Sequence, residues 1–503
     1  MVFSSISFLF LFFPIQLAVY YLTYFCSTIN GHRTAWIRPG NLVILVFSFI
    51  FYFWGENYRL WILLATTLID YCCGLLIAGA FIGGEVKIVE LGKPRTNTQK
   101  AFLYLSLTSN LAMLGFFKYF NFGVDLYNTS VPGNWQYRLI HPVVLPLGIS
   151  FYTFQSMSYT IDVYRGDVRA TRNLVDYLCC VTMFPHMVAG PIVRYRNLAR
   201  QARRRTLTMQ KFSDGARTFI LGLSKKVLIA NVMAKVADHV FMVDVPRMNA
   251  PIAWTGITAY SLQIYFDFSG YSDMAIGLGR MLGFELPKNF NFPYISESIR
   301  DFWRRWHITL SSWFRDYLYI PLGGNRTGAL RSYMNLIIVF FLCGLWHGAS
   351  VNFVVWGLFH GIFLVLERTK IGSALEKLPR PFRHAYTLLV VMVGWVFFRA
   401  ENMTQAAGIL KTMAGLGTGD PAFQHLGDFI TPQILLVFII GAIACTPAIP
   451  ALRTENTVND NLHPGYLPMV RTALINSAYA ALYVTSGCYL AAGSYNPFIY
   501  FRF

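Results

Sequence analysis

The chain has 503 residues, of which 55% are hydrophobic, 17% aromatic and only 13% charged. Soluble domains carry about 25% charged residues, and half that density cannot cover the surface of a soluble protein this long, so a soluble enzyme is excluded. The formal net charge is +18, but the basic residues gather between apolar runs, as they do in the cytoplasmic loops of membrane proteins, and nucleic acid is not an expected partner.

Apolar runs close to the ~20 residues that span hydrocarbon begin at once, the first at 6–27. Met1 to Asn30 contains no charged side chain, so a basic secretory n-region is lacking. Arg33 and Arg38 follow, and the run is expected to be a retained helix that starts outside and ends in the cytoplasm. Runs at 41–54, 60–83 and 102–120 come next, with Lys87, Lys93, Arg95 and Lys100 marking 84–101 as a cytoplasmic loop. After a run at 143–163, residues 176–193 are apolar but flanked by basic residues and interrupted by Pro185, Gly190 and Pro191. They read as a re-entrant segment, with His186 placed to line a cavity. From Arg194 to Arg217 eight basic residues face one acid, Asp214, the strongest cytoplasmic signal in the chain.

Runs at 217–236 and 253–281 follow. The second contains Tyr265-Phe-Asp-Phe-Ser-Gly-Tyr-Ser-Asp273, and Asp267 and Asp273 need partners at that depth. The expected partners are the arginines of the 300–315 stretch. Residues 293–322 carry too many charges to cross lipid yet are rich in Trp, Tyr and Leu, and read as a second re-entrant or interfacial segment. If this stretch is helical, Trp303, Trp306 and His307 share a face, with Arg304 and Arg305 beside it and Arg315 beyond. An interfacial aromatic helix with snorkelling arginines is the common reading. The density of both residue types favours instead a cytoplasmic mouth, whose arginines meet phosphates and whose tryptophans pack on a ligand. Two re-entrant segments in one chain point to a central funnel or tunnel.

The runs at 332–348 and 352–368 form a helical hairpin. Arg331 marks its cytoplasmic start, His347 lies about 22 Å further along a helix rising ~1.5 Å per residue, and the chain returns to Glu367, Arg368 and Lys370. This holds an imidazole inside the bilayer, where ionisable groups are functional candidates, and neutral imidazole is a general base at pH 7. On physics alone a packing histidine bonded to a neighbouring helix is an equal rival. For His360, on the return arm, an interhelical hydrogen bond is the favoured reading. Runs at 384–399, 433–450 and 472–492 complete about twelve spans, which puts both termini outside. The fold class is all-α: a polytopic transmembrane helical protein with no soluble domain. No internal repeat is visible, which counts against an inverted-repeat transporter. The eight cysteines form no C-x-x-C pair and no cluster has ligand spacing, so neither metal nor disulfide is expected.

In this order the segments resemble the membrane-bound O-acyltransferase superfamily, and within it the bacterial branch that O-acetylates alginate-type exopolysaccharides. The resemblance is carried by Met1-Val-Phe-Ser-Ser, Leu145-Pro-Leu-Gly-Ile-Ser-Phe-Tyr-Thr-Phe154, Ile161-Asp-Val-Tyr-Arg-Gly166, Phe184–Pro191, Tyr265–Asp273, Phe302-Trp-Arg-Arg-Trp-His307, Arg315-Asp-Tyr-Leu-Tyr-Ile-Pro-Leu-Gly-Gly-Asn325, Trp346-His-Gly-Ala349 and Gly394-Trp-Val-Phe-Phe-Arg399. It implies one transmembrane domain over 1–503, with core motifs at about 145–400 and less distinctive helices at about 401–503. It also implies a central funnel with a histidine in the tunnel, His347 by motif position, and His307 as the second polar residue. Acetyl-CoA is the implied donor substrate, with no bound cofactor. Arg304, Arg305, Arg315, Trp303 and Trp306 then read as its binding residues. His347 acts as general base or transient acetyl carrier, and His307 orients or polarises the thioester. The implied setting is a bacterial inner membrane, among membrane lipids. A periplasmic or membrane-anchored esterase-like acetyltransferase partner passes the acetyl group on to the polysaccharide. Two rival readings are D-alanyl transfer to teichoic acid from a carrier protein, and a secondary transporter without acyl chemistry.

Overall fold

The computed structural model describes residues 2–29, 36–80, 89–90, 94–137, 141–326, 328–417, 419, 426–448 and 466–497. Arg33, Lys87 and Lys93, used above to orient the first loops, lie outside the described residues, as does Met1 of the opening motif. Among the described residues the regular structure is helical, with no strand.

Each expected apolar run lands on a helix. A π turn at Phe8–Phe12 leads into α1 (Phe13–Ile29), followed by α2 (Ile37–Glu56), α3 (Leu60–Ile77), α4 (Asn97–Ser130) and α5 (Ile149–Arg165). The 34-residue α4 opens on a capping box in which Thr96 and Gln99 accept each other's backbone N–H. The 176–193 stretch is not one span. It breaks into α6 (Leu174–Thr182) and α7 (Phe184–Met187), with Pro185 in the first turn of α7, where its missing N–H costs nothing. Then come α8 (Tyr195–Leu198), α9 (Met209–Ser224), a π turn at Lys225–Ala230, α10 (Asn231–Phe241), α11 (Ala250–Met281), α12 (Ile299–Arg305), α13 (Ile308–Phe314), α14 (Ala329–His347), α15 (Val351–Leu366), α16 (Lys370–Glu376), α17 (Arg380–Arg399), α18 (Met403–Met413), α19 (Pro432–Ala444) and α20 (Tyr466–Ala491). Among the described residues Phe8–Ser27, Ile37–Ile77, α14 and α17 are long and apolar enough to cross a membrane on length and composition alone, and α15 with α16, bent by 76°, passes the same test when the two are taken together. The protein is an all-α polytopic membrane protein.

Two compact units are distinguishable: Met1–Ala216 with Ala275–Pro287, and Arg217–Met274 with Lys288–Phe503. In the first, Phe3, Phe8, Phe12, Phe51 and Phe184 pack together, with Phe12 and Phe184 edge to face at 5.5 Å. Two buried charges here are met largely by neutral partners. Asp70 on α3 accepts from Ser106 Oγ (2.6 Å), from Asn110 Nδ2 (2.8 and 2.9 Å) and from Ser156 Oγ. Arg205 donates to Asn41 Oδ1 at 2.6 Å, and its guanidinium lies over the rings of Phe284 (4.4 Å) and Trp36 (4.9 Å), a cation–π arrangement that replaces lost hydration.

In the second unit Asp267 and Asp273 do not pair with arginines of the 300–315 stretch, as the sequence led us to expect. Lys226 Nζ meets Asp267 Oδ1 at 2.8 Å and Lys225 Nζ meets Asp273 Oδ2 at 2.6 Å. The reason is local: the π turn at Lys225–Ala230 carries two consecutive lysines, and α9 runs tightly against α11 where Gly222 and Gly270 approach each other's backbone. The arginines further on find other partners, such as Arg305 with Asp301 at 2.9 Å. The α14–α15 hairpin is closely packed, because a Cβ on Gly357 would overlap the carbonyl oxygen of Phe340, and one on Gly344 that of Phe353. At its turn Ser350 caps α15, and Asn352 Nδ2 donates to Ala400 O at 2.8 Å, which ties the hairpin to the end of α17.

Candidate active site

His347 is the last residue of α14, ended by Gly348 in extended conformation. Its ring is 7% exposed and meets three aromatic side chains edge-on: Trp346 (4.9 Å), Trp356 (4.9 Å) and Phe398 (5.2 Å). The hairpin turn thus puts an imidazole among rings drawn from α14, α15 and α17.

His307 is reached differently. The sequence allowed one helix to carry Trp303, Trp306 and His307 on a shared face. Instead α12 ends at Arg305, Trp306 is extended, and His307 adopts the left-handed conformation with φ 43° before α13 starts. That conformation disfavours a residue with a Cβ and recurs where function demands it. Asn289 enforces it. Its backbone carbonyl accepts from Ile308 N–H (2.9 Å), and its side-chain Oδ1 accepts from Thr309 N–H (3.2 Å) and Thr309 Oγ1 (2.8 Å), capping the new helix. His307 Nδ1 lies 3.1 Å from the same Oδ1, while Asn289 Nδ2 donates to Ser272 Oγ at 3.1 Å.

This arrangement sets the tautomer. Thr309 N–H can only donate, so the Asn289 atom facing it is oxygen, and an oxygen requires Nδ1 of His307 to carry the proton. In the neutral ring Nε2 is then the acceptor. The imidazole is fully buried, edge-on to Phe268 at 4.6 Å and 6.1 Å from Trp346. Trp346 therefore contacts both histidines, and the structure brings His307 and His347 into one aromatic site.

The other sequence-predicted residues divide. Trp303 and Trp306 are buried, Trp306 packing on Trp395 (4.9 Å) and Phe290 (5.1 Å), and Trp303 on Phe340 (5.0 Å) and His360 (5.3 Å). Arg304 is exposed, Arg305 is paired with Asp301, and Arg315 pairs with Asp316 at 2.6 Å while its side chain stays 63% exposed. Aromatics and guanidinium groups thus separate into an interior and a surface set. Sequence reasoning missed Asn289, which sits 18 residues before His307 with no spacing signal, and Trp356, and it gave no role to Phe398 although the residue lies in the Gly394–Arg399 motif.

His360 is fully buried, but the expected interhelical hydrogen bond is absent: among the described residues neither ring nitrogen has a hydrogen-bond partner. Its Nε2 rests against Gly394 of α17, only 2.7 Å from where a Cβ would stand.

Residues 168–398 match the model of the membrane-bound O-acyltransferase family. The chain is 43% identical to the probable alginate O-acetylase AlgI of Pseudomonas putida and 41% identical to that of Azotobacter vinelandii, in each case over 100% of both chains. It is 34% identical to the peptidoglycan O-acetyltransferase of Helicobacter pylori, over 83% of this chain and 80% of that one.

Proposed function

The chain belongs to the membrane-bound O-acyltransferase family, and we propose that it moves acetyl groups from cytoplasmic acetyl-CoA through the membrane to an acceptor on the outer side, for O-acetylation of an alginate-like exopolysaccharide. The observation that carries this reading is the pair of buried histidines in contact with the same indole, Trp346. His347, at the deep end of the hairpin, is the general base: it accepts the proton of the acceptor hydroxyl as that oxygen attacks the thioester carbon. The C–S bond breaks and the proton passes to the departing thiolate, leaving an acetyl ester and free CoA. His307, protonated on Nδ1, offers an acceptor at Nε2, and so orients the donor by receiving an N–H from its amide-bearing arm. The exposed guanidinium groups of Arg304 and Arg315 are available for charge-assisted bonds to the CoA phosphates, with Arg305 beside them.

The chain sits in a bacterial inner membrane with both termini outside, and an esterase-like partner, periplasmic or membrane-anchored, hands the acetyl group to the polymer. The full-length likeness to alginate O-acetylases supports this polysaccharide reading. The test is single-turnover transfer from radiolabelled acetyl-CoA by the purified protein in nanodiscs, with His347→Ala as control. Release of CoA with label on an acceptor, lost in the variant, is the expected result. Intact thioester in the wild type, even with candidate partners present, would overturn it.

A further inference from the structure

The tautomer of His307 leaves a chemical gap. Attack on a thioester puts negative charge on its carbonyl oxygen, and such an oxygen needs preorganised donors. A neutral His307 with its proton committed to Asn289 cannot donate from Nε2, and His347 is occupied as the base. The donors must come from elsewhere in the same unit.

Among the buried polar groups of this unit that lack a hydrogen-bond partner among the described residues, three adjoin one another beside His347: Trp303 Nε1, Trp356 Nε1 and both nitrogens of His360. Their exposures are 7%, 0% and 0%. They are also one cluster, since the ring centroids of Trp303 and Trp356 each lie 5.3 Å from His360 and 5.8 Å from one another. Buried polar atoms are seldom left unpaired, and a cluster of them calls for an explanation, a catalytic role among those that apply. The same cage can satisfy an indole where the need is structural: Trp395 Nε1 donates to Tyr294 OH at 3.1 Å, and that hydroxyl donates to Ser261 O at 2.6 Å. Trp303 and Trp356 have no such provision.

In the acyl-transfer reading, in which the donor enters from the Leu366 end of α15, the cluster lies between that end and His347. His360 is six residues from the Leu366 end of α15, about 9 Å at ~1.5 Å per residue, and Trp356 is one turn nearer the hairpin turn. Trp356 touches both His360 and His347. A thioester entering from the Leu366 side therefore reaches the level of these rings just before His347.

Resting on the acyl-transfer reading above, we propose that Trp303 and Trp356 are catalytic residues whose indole N–H groups donate to the carbonyl oxygen of the acyl thioester, and that His360 is a positioning residue that holds the two indoles in place. Its ring stands at 89° to Trp303 and 72° to Trp356, and Gly394 leaves it the space to do so.

The experiment is isotope-edited infrared spectroscopy of acetyl-CoA carrying a 13C carbonyl, bound to the His347→Gln protein in nanodiscs so that the thioester persists. The carbonyl stretch is expected to fall on binding, and the fall to shrink when Trp303→Phe or Trp356→Phe is added. With His347 restored, each tryptophan variant is expected to lose about 100-fold in kcat, as for removal of one oxyanion donor, with KM for acetyl-CoA within threefold. His360→Phe should reduce the carbonyl shift while thermal stability holds or rises, which a purely structural histidine would not produce. Should a phenylalanine variant fold poorly, benzothienylalanine at the same position keeps the indole shape and replaces N–H by sulfur. An unchanged carbonyl stretch and rate in both tryptophan variants would overturn the proposal. Failure of the acyl-transfer reading looks different, because the wild type would then neither bind nor turn over acetyl-CoA.

Discussion

Asn289 Oδ1 holds His307 Nδ1 at 3.1 Å while also capping α13 through Thr309. One oxygen thus fixes both the tautomer of the imidazole and the left-handed turn that presents it. Asn289→Ala removes the cap and frees the ring to place its proton on either nitrogen. Loss of an N-cap costs about 1 kcal/mol, so the variant should fold with a modestly lowered Tm. Its kcat should fall further than stability explains, by about ten- to 100-fold, an effect of the size seen when a metal-ligand histidine loses its orienting partner. Asn289→Asp, which retains the acceptor, should recover most of the rate. A kcat unchanged in Asn289→Ala would mean that His307 takes no part in orienting the donor.

His347→Ala should abolish acetyl transfer, with a loss of about 100-fold or more from removal of a general base. The side chain packs against Trp346, Trp356 and Phe398 but ends α14 rather than filling its middle. Helical content and detergent-extracted yield should therefore match the wild type. Normal transfer by a well-folded variant would remove His347 from the mechanism.

Much of this was legible in the chain itself. Hydropathy located every long helix, because a segment crossing lipid must satisfy its backbone internally and so declares itself by composition. The Trp346-His347-Gly348-Ala349 motif and the Phe302–His307 motif pointed to the two histidines. What the sequence could not show was set by tertiary packing. The break after Arg305 depends on Asn289 reaching Thr309 from a distant position. The partners of Asp267 and Asp273 depend on how closely Gly222 lets α9 approach α11. His360 looked like a routine interhelical bond because periodicity reveals depth and face, and says nothing about whether a polar atom meets a partner.

The Lys226–Asp267 pair is buried on both sides, its side chains only 3% and 2% exposed. Breaking such a pair from one side leaves an uncompensated charge, which costs about 3–5 kcal/mol, whereas replacing both partners by apolar residues is often neutral. Asp267→Leu alone should sharply reduce the yield of folded protein. Lys226→Met combined with Asp267→Leu should restore it, as read by thermal unfolding in detergent. A double variant no better than the single one would show that each charge serves something other than its partner.

The hairpin that carries His347 depends on two glycines facing across it. A methyl group on Gly357 would overlap the carbonyl oxygen of Phe340, and the rigid backbone of α14 has no side-chain end to move aside. Gly357→Ala must therefore push α14 and α15 apart. Overpacking of this kind costs about 1–3 kcal/mol, and the displacement should also move His347 relative to Trp356, whose ring now stands 4.9 Å from it. A 1 Å misplacement can cost about 100-fold in rate, so activity should fall more than stability. Gly361 on the same arm is a milder case, its added carbon meeting the Phe340 side chain at 3.1 Å. Gly361→Ala should retain most of the activity, and the contrast between the two variants, measured as kcat at a temperature where both are folded, separates a displaced catalytic histidine from a merely destabilised fold.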